Sequence, residues 1–236
     1  KAATSLDGNL TGSDITFEKA LTWTSGALIN CTTAKFTGAV SGGSYQLKIT
    51  GTGNADFGSD VNVKTLSVAG TTKTNGTVKT QQDQSFTGKV TLAGNSTFTI
   101  IDSTKKSTFT SGFEDTTGKT LTINGNTEIN GDNTFGTVTL KGNSIFSGAN
   151  TFTNLTIDNS AITSATSASF AGGKIQKIGT CSFKGNSATN TLTLKSTDTT
   201  NWKVYFSSNP SGKFSNVLVS QSSSVNSTGS ASLDLG

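Results

Sequence analysis

The sequence predicts an all-β fold, a right-handed parallel β-helix (β-solenoid) with about 20 residues in each coil. Three observations predict it: a composition that favours strands and tight turns, short apolar segments that recur along the chain, and a turn motif that ends in phenylalanine. None of these patterns suits a helical or a mixed α/β protein.

The composition favours strands joined by sharp turns. Among the 236 residues, Thr occurs 44 times, Gly 27 times and Pro once. Thr, Val, Ile and Phe fit a pleated, half-buried surface, while Gly and Asn accept the backbone angles of tight corners. No stretch repeats apolar residues at i, i+3, i+4 and i+7 over three turns, so we expect almost no α-helix.

Short strand segments of three residues recur, and most have a polar residue between two apolar ones. They begin 19, 24, 31, 17, 17, 37 and 25 residues apart, and the longest interval is read as two coils. An internal period near 20 residues indicates a repeat architecture. The segments are residues 47–49, 66–68, 90–92, 121–123, 138–140, 155–157, 192–194 and 217–219.

A five-residue motif precedes many of these segments. It starts with Gly, has Asn at its second or third position in every copy, and ends in Phe. We predict that Gly and Asn occupy a left-handed corner and that the Phe ring points into the core, where rings stack coil upon coil. The motif begins at Gly53, Gly94, Gly131, Gly142 and Gly148.

Burial explains why these patterns favour a solenoid. A strand of three to five residues cannot hide its own apolar face, but strands stacked in register bury a continuous core and satisfy their backbone groups. Asn ladders at the corners can add hydrogen bonds along the axis. We predict one domain over residues 1–236, with roughly 11 or 12 coils in a rod about 50–55 Å long. A β-sandwich is the competing architecture, but it needs longer alternating strands.

Missing residue types exclude several chemistries. The chain has no His, no Met and no Arg, so its 18 basic residues are all Lys and its net charge is +4. Without imidazole or guanidinium groups we expect no enzyme, no metal site and no cofactor. The lysines are scattered rather than clustered, so we expect no nucleic-acid binding. No apolar run reaches the length of a membrane span.

Three acidic clusters are candidates for carbohydrate cleavage or calcium binding. Glycosidases need paired carboxylates and calcium loops need regularly spaced oxygen ligands. No acidic repeat has the spacing of a calcium-binding turn or an EF-hand loop, and we predict that these residues are turn acids or solvated loop charges. The clusters are Asp56 with Asp60, Glu114 with Asp115, and Glu128 with Asp132.

The two cysteines test the fold. Cys31 and Cys181 are 150 residues apart in sequence, which in a solenoid corresponds to roughly 35 Å, well beyond disulfide range. We predict that they stay unpaired and act as small buried apolar residues in strands.

Several stretches resemble the repeats of large filamentous-haemagglutinin-like and autotransporter-type bacterial surface proteins. The resemblance rests on residues 47–98, on 152–157 and on the closing segments 202–206 and 216–222. It implies a parallel β-helix at the bacterial cell surface or outside the cell, acting as a stalk or adhesive rod. Residues 100–119 and 172–179 fit the repeat poorly.

These expectations lead to a functional hypothesis. We expect a non-catalytic structural or adhesive segment of a longer surface protein. It would associate with itself through its ends, or bind glycans and proteins of a host or neighbouring cell. Two alternatives stay open: a Thr-rich ice- or crystal-binding solenoid and a carbohydrate-active β-helix enzyme. The first needs one Thr-x-Thr per coil in a fixed phase, whereas the tripeptides 97–99, 108–110, 151–153 and 191–193 are irregularly spaced.

Overall fold

The computed structural model describes residues 4–207, 214–225 and 231–234. Within these ranges the chain forms strands and turns and contains no helix. Stacked coils of about 20 residues make it a β-solenoid, which confirms the predicted fold class, while the right-handed sense of the coil stays a prediction. The strands are β1 (Thr4–Leu6), β2 (Leu10–Thr11), β3 (Asp14–Phe17), β4 (Leu21–Trp23), β5 (Ala27–Asn30), β6 (Thr33–Phe36), β7 (Val40–Thr50), β8 (Asn54–Phe57), β9 (Val61–Val68), β10 (Thr72–Thr80), β11 (Gln84–Phe86), β12 (Val90–Ile100), β13 (Lys106–Phe109), β14 (Thr120–Asn124), β15 (Asn126–Ile129), β16 (Asn133–Lys141), β17 (Ser144–Phe146), β18 (Asn150–Asp158), β19 (Thr166–Phe170), β20 (Ile175–Lys184), β21 (Leu192–Ser196), β22 (Trp202–Phe206), β23 (Phe214–Ser215), β24 (Val217–Val219), β25 (Ser222–Val225) and β26 (Ala231–Asp234).

The chain divides into two compact units. Unit 1 comprises Lys1–Glu114 with Asn124–Asn126, and unit 2 comprises Asp115–Ile123 with Thr127–Gly236. In each unit, three columns of parallel strands surround a core, because strands from successive coils pair in register. The single domain predicted over residues 1–236 stays a prediction.

In unit 1 the first column shows the repeat most clearly. Its inward residues Leu21, Val40, Val61, Val78 and Phe98 lie directly above one another, 17 to 21 residues apart in sequence. All five are buried. In-register stacking therefore produces the apolar ladder that the sequence period predicted.

The phenylalanines of unit 1 form continuous stacks. Phe17, Phe36 and Phe57, on β3, β6 and β8, are stacked with ring centroids 5.1 Å apart. Phe86 and Phe109, on β11 and β13, stack at the same distance. This spacing is close to the strand separation within a sheet, so each ring lies on the ring of the coil below. The predicted stacking of Phe rings is confirmed.

Unit 2 has the same architecture, and its coils become longer along the chain. Phe146, Phe170 and Trp202 form one aromatic stack, and Phe135 stacks on Phe152. Residues that pair between β16 and β18 are 17 positions apart in sequence, whereas those that pair between β20 and β22 are 28 positions apart. The longest connections from β16 to β22 are residues 159–165 and 185–191. Of the stretch that fits the sequence repeat poorly, residues 172–174 precede β20 and residues 175–179 lie on it.

The recurring apolar segments do not form a single column, which corrects the sequence interpretation. Residues 47–49 stack on 66–68, but the next coil places Gln84–Phe86 there. Residues 90–92 pair instead with 72–74 in a different column. All three columns require the same pattern of inward apolar residues, so similar segments occur in each of them.

The Gly-Asn-Phe motif is partly confirmed. The phenylalanines are buried, and Gly53, Gly131 and Gly142 have positive φ as predicted. Gly148 instead serves close packing, because a Cβ there would lie 2.0 Å from the carbonyl oxygen of Gly131. Among the described residues the only non-glycine positive φ angles occur at Asn216 and Gln221, so the predicted left-handed Asn corners of the motifs are wrong.

The asparagines of the motif hydrogen-bond to the next coil instead. The Asn54 side-chain oxygen accepts hydrogen bonds from the backbone N–H and the hydroxyl of Thr71, at 2.9 and 3.0 Å. Asn143 accepts one from the backbone N–H of Ser167 at 2.8 Å. These bonds satisfy corner amides that no strand partner reaches.

A buried amide ladder runs through unit 2. The Asn133 side chain donates to the side-chain oxygen of Asn150 at 2.8 Å, and Asn150 donates to that of Gln176 at 3.0 Å. Asn150 and Gln176 each also donate to the carbonyl of Gly148 at 2.9 Å. The predicted Asn ladder exists, but it lies inside the core, where unpaired amides would be costly.

One strand pair departs from the parallel arrangement. β26 pairs with β25 in antiparallel fashion, while the other edge of β25 joins β22 in the parallel ladder. An antiparallel neighbour needs only a short connection, whereas a parallel one needs a full coil.

Two neighbouring residues on β17 test the importance of the aromatic core. Phe146 is fully buried and Ile145, on the outward face, is 39% exposed. We expect Phe146→Ala to lower the free energy of unfolding by about 3–5 kcal/mol, because the ring leaves a cavity in its stack. Ile145→Ala should change it by less than about 1 kcal/mol. Urea unfolding of both variants measures the difference, and equal losses would contradict the assignment of faces.

Candidate functional site

Three aspartates of the predicted acidic clusters contact neighbouring groups of the chain. Asp60 accepts a hydrogen bond from the backbone N–H of Thr77 at 2.7 Å, and Asp56 lies 3.8 Å from the Lys73 ammonium group. Asp132 likewise accepts the N–H of Ala149 at 2.8 Å. Each of these carboxylates contacts the coil that follows it: Asp60 and Asp132 from turns, and Asp56 from strand β8.

The remaining cluster residues also have local partners. Glu114 lies 3.6 Å from the Lys89 ammonium group. Glu128 lies on β15 opposite Ile145. Among the residues with described positions, no group of three or more Cys, Asp or Glu is close enough to hold a metal ion.

Four aspartates begin loops through a common turn. In each case the carboxylate accepts the backbone N–H of the Ser or Thr two residues later, an Asx turn. Asp115 also accepts the Thr117 hydroxyl at 2.5 Å, and Asp158 accepts the Ser160 hydroxyl at 2.6 Å. The four pairs are Asp102 with Thr104, Asp115 with Thr117, Asp158 with Ser160 and Asp198 with Thr200.

These turns lower the pKa of the carboxyl groups that form them. The hydrogen bond from the Ser160 hydroxyl is the largest cause for Asp158, and its pKa lies below the ordinary value for Asp. The pKa of Asp102 and that of Asp115 are lowered by hydrogen bonds from Thr104 and Thr117. A carboxylate that accepts such bonds favours its charged form, as a turn acid should.

The lowered pKa of Asp158 predicts how stability depends on pH. A carboxyl whose pKa is lower in the folded state stabilises the protein fully above its unfolded value of about 3.9, and this contribution disappears as the pH falls through the folded pKa. We expect Asp158→Asn to reduce the loss of thermal stability between neutral pH and about pH 3. Melting temperatures of both proteins across this range measure the effect. Parallel curves would contradict it.

Both cysteines are free and buried. Cys181 lies on β20 and Cys31 follows directly after β5, so only one of them is in a strand as predicted. Burial raises the pKa of each thiol, and Asp14 adds to the effect at Cys31. The predicted absence of a disulfide is confirmed, and the protonated thiols are poor nucleophiles.

One face of unit 2 presents polar side chains in two regular columns, which we call the hydroxyl face. The columns alternate with the buried residues of β16, β18 and β20, so each coil shows two outward groups. Asn154 donates to the Thr137 hydroxyl at 3.1 Å and accepts from the hydroxyl of Thr180. The columns are Thr137, Asn154 and Thr180, and Thr139, Thr156 and Ser182.

A surface depression in unit 1 arises where β7 is longer than its neighbour. Between Gly42 and Gln46 the register shifts, so three β7 residues face a single β9 residue, Lys64. Gly42 begins the bulge because the Trp23 ring fills the space beneath it: a Cβ at residue 42 would lie 2.7 Å from that side chain. Ser44 and Tyr45 are thereby exposed at the corner.

We call this depression the Tyr45 notch. Two adjoining cavities of about 280 and 460 Å³ share Ser44 and Lys64 in their linings. Tyr45 is 38% exposed, and Gln46 and Lys64 are exposed beside it. The lining residues are Gly26, Gly43, Ser44, Tyr45, Gln46, Lys64, Thr65, Gln81 and Gln82.

Neither surface was predicted from the sequence. Tyr45 is one of two tyrosines, and the Gly42-Gly43-Ser44-Tyr45-Gln46 stretch interrupts the alternation just before residues 47–49. That interruption is the sequence signal that could have indicated the bulge at Ser44 and Tyr45. The hydroxyl face was hidden because its Thr-x-Thr tripeptide at 137–139 continues as Asn-x-Thr and Thr-x-Ser in the next coils.

Comparisons with known proteins found no matching family model, no matching curated protein and no matching solved structure. The described part of the chain has no helix long and apolar enough to cross a membrane.

Proposed function

We propose that this chain is a non-catalytic structural or adhesive segment of a bacterial protein that is exported to the cell surface or secreted. The observation that carries the proposal is the use of its polar side chains. Corner and core groups that could perform chemistry hydrogen-bond to the next coil or close a turn instead, as Asp60, Asp158 and Asn150 do. Polar groups used in this way stabilise the stacked coils, as expected of a structural scaffold.

The solenoid fold supports an extended binding surface. Stacked coils place equivalent outward residues at regular intervals, so one face can present many similar contacts. The resemblance to filamentous-haemagglutinin-like and autotransporter-type repeats supports an extracellular or cell-surface location. A fold shared by many functions is a weaker guide than a site, so the partner must be found by binding experiments.

Its partners are proposed in two classes. Copies of the chain would associate through strand edges at the ends of the stack, since an exposed edge accepts a further strand. Glycans or proteins of a host or neighbouring cell would bind the lateral faces. No cofactor and no nucleic acid are part of the proposal.

Binding and assembly assays test this function. The purified chain is applied to arrays of glycans and matrix proteins, examined by electron microscopy for filaments, and incubated with polysaccharides to detect newly released reducing ends. We expect array binding or filaments, and no release of reducing ends. Cleavage of a polysaccharide, or a monodisperse monomer that binds nothing, would contradict the proposal.

A second candidate function, binding to ice or another crystal, is favoured by the hydroxyl face. Its two columns repeat once per coil at the spacing of adjacent strands, about 4.8 Å. A periodic solid can match such an array at many points simultaneously. The bridging Asn154 holds the hydroxyls of Thr137 and Thr180 in fixed positions.

Thermal hysteresis measurements test this second function. If ice is the ligand, the chain lowers the freezing point below the melting point, and Thr156→Lys removes the effect by placing a long charged side chain on the hydroxyl face. Thr108→Lys is the matched control, because Thr108 is a half-buried outward residue on β13 of unit 1. No hysteresis in the unmodified chain excludes ice as the ligand.

A further inference from the structure

We infer that the Tyr45 notch is a binding site for an acidic saccharide, a sugar that carries a carboxylate group. The inference rests on the proposed adhesive function and specifies the ligand class and the site. It follows from three features of the notch: polar groups without partners, an uncompensated positive charge and an exposed aromatic ring.

The first feature is the set of unused polar groups. In the described part of the chain, the side chains of Tyr45, Gln46, Lys64 and Gln82 make no hydrogen bond or ion pair. Elsewhere the corner side chains bond to the next coil: Asn54 binds Thr71 in this way. The notch therefore keeps donors and acceptors available to a ligand, and sugar hydroxyls need both.

The second feature is the charge of Lys64. The ion pairs of the described residues join Lys73 to Asp56 and Lys89 to Glu114, and neither involves Lys64. Within the described ranges no carboxylate lies within ion-pair distance of the Lys64 ammonium group. A ligand carboxylate would supply that partner through a charge-assisted hydrogen bond, which is stronger than a neutral one.

The third feature is the ring of Tyr45 at the edge of the notch. Tyr combines an apolar face with a polar hydroxyl and loses little conformational entropy when it binds. The apolar C–H face of a pyranose ring can pack on that surface while its hydroxyls reach the amides of Gln46 and Gln82. Few exposed large apolar side chains occur among the described residues, so the position of Tyr45 is distinctive.

The size of the notch limits the ligand. The notch is a shallow, open depression, and its two parts of about 280 and 460 Å³ lie at the lower end of the range for small-molecule sites, about 300–1,000 Å³. They suit one or two sugar rings at the end or along the length of a glycan. A single ammonium group and the absence of Arg make a polyphosphate or nucleic-acid chain a poor match.

Calorimetric titration of the whole chain tests the inference. The probes are sialyllactose and a galacturonic acid oligosaccharide, with lactose as the neutral counterpart of the first. We expect at least one acidic probe to bind with a dissociation constant in the millimolar range or tighter. We expect lactose to bind about tenfold more weakly, because it lacks the carboxylate that pairs with Lys64.

Three variants locate the binding. We expect Lys64→Gln and Tyr45→Ala each to weaken binding of the acidic probe about tenfold, and Lys64→Gln to remove the preference over lactose. Gly26→Leu should block the notch without removing a polar group, because a Cβ there meets only the Gln46 side chain, at 3.5 Å. Lys35→Gln, an exposed Lys on β6, is the control and should retain unmodified affinity within about twofold.

The outcomes separate this inference from the proposed function. If the acidic probe binds but Lys64→Gln and Tyr45→Ala retain full affinity, or if lactose binds as strongly, the notch assignment is overturned while adhesion stands. If neither acidic probe binds the unmodified chain, the acidic-saccharide site is overturned, and binding on the wider arrays decides the adhesive function separately. Melting temperatures confirm that each variant is folded.

Discussion

In-register stacking of one coil on the next is the constraint on which this structure depends. No single coil could bury its inward residues, so the apolar ladders and the hydrogen bonds of each strand exist only through its neighbours. This explains why Phe36 lies between Phe17 and Phe57 and why Asn150 lies between Asn133 and Gln176. Like residues stack on like residues because identical shapes and complementary amides then recur along the axis.

The sequence was sufficient to predict the fold class, because a short strand pattern repeated at a near-constant interval is typical of solenoids and of few other folds. It also predicted buried Phe rings and unpaired cysteines. It could not assign segments to columns: residues 90–92 look like 66–68 but belong to a different face. The pattern of inward residues is the same in every column, and only turn lengths, which vary, determine which segments meet.

The candidate site was less predictable, since it depends on a difference between neighbouring coils. The bulge at Ser44 and Tyr45 becomes a notch only because β9 passes Lys64 without an equivalent bulge. The sequence of β7 or of β9 alone does not show this difference in length. Asp60, Asp115 and Asp132 lie in turns as predicted, whereas Asp56 and Glu128 lie on strands β8 and β15. The role of Asn54 was not predicted, because an amide that bonds to the next coil and one in a left-handed corner look alike in sequence.

The Asx turns have a consequence for how such a protein can change. Each Asx turn lies in a connection between strands, and its carboxylate fixes the backbone by accepting the N–H two residues later. The turns are those of Asp102, Asp115, Asp158 and Asp198. After Asp102 and Asp198 the next residues are exposed, so insertions there lengthen a surface loop. After Asp115 and Asp158 the next residues, Thr116 and Asn159, are buried and hydrogen-bonded to neighbouring coils, so these two turns anchor their loops to the interior. Foreign peptides grafted after Asp102 or Asp198 should therefore be displayed on an unchanged scaffold.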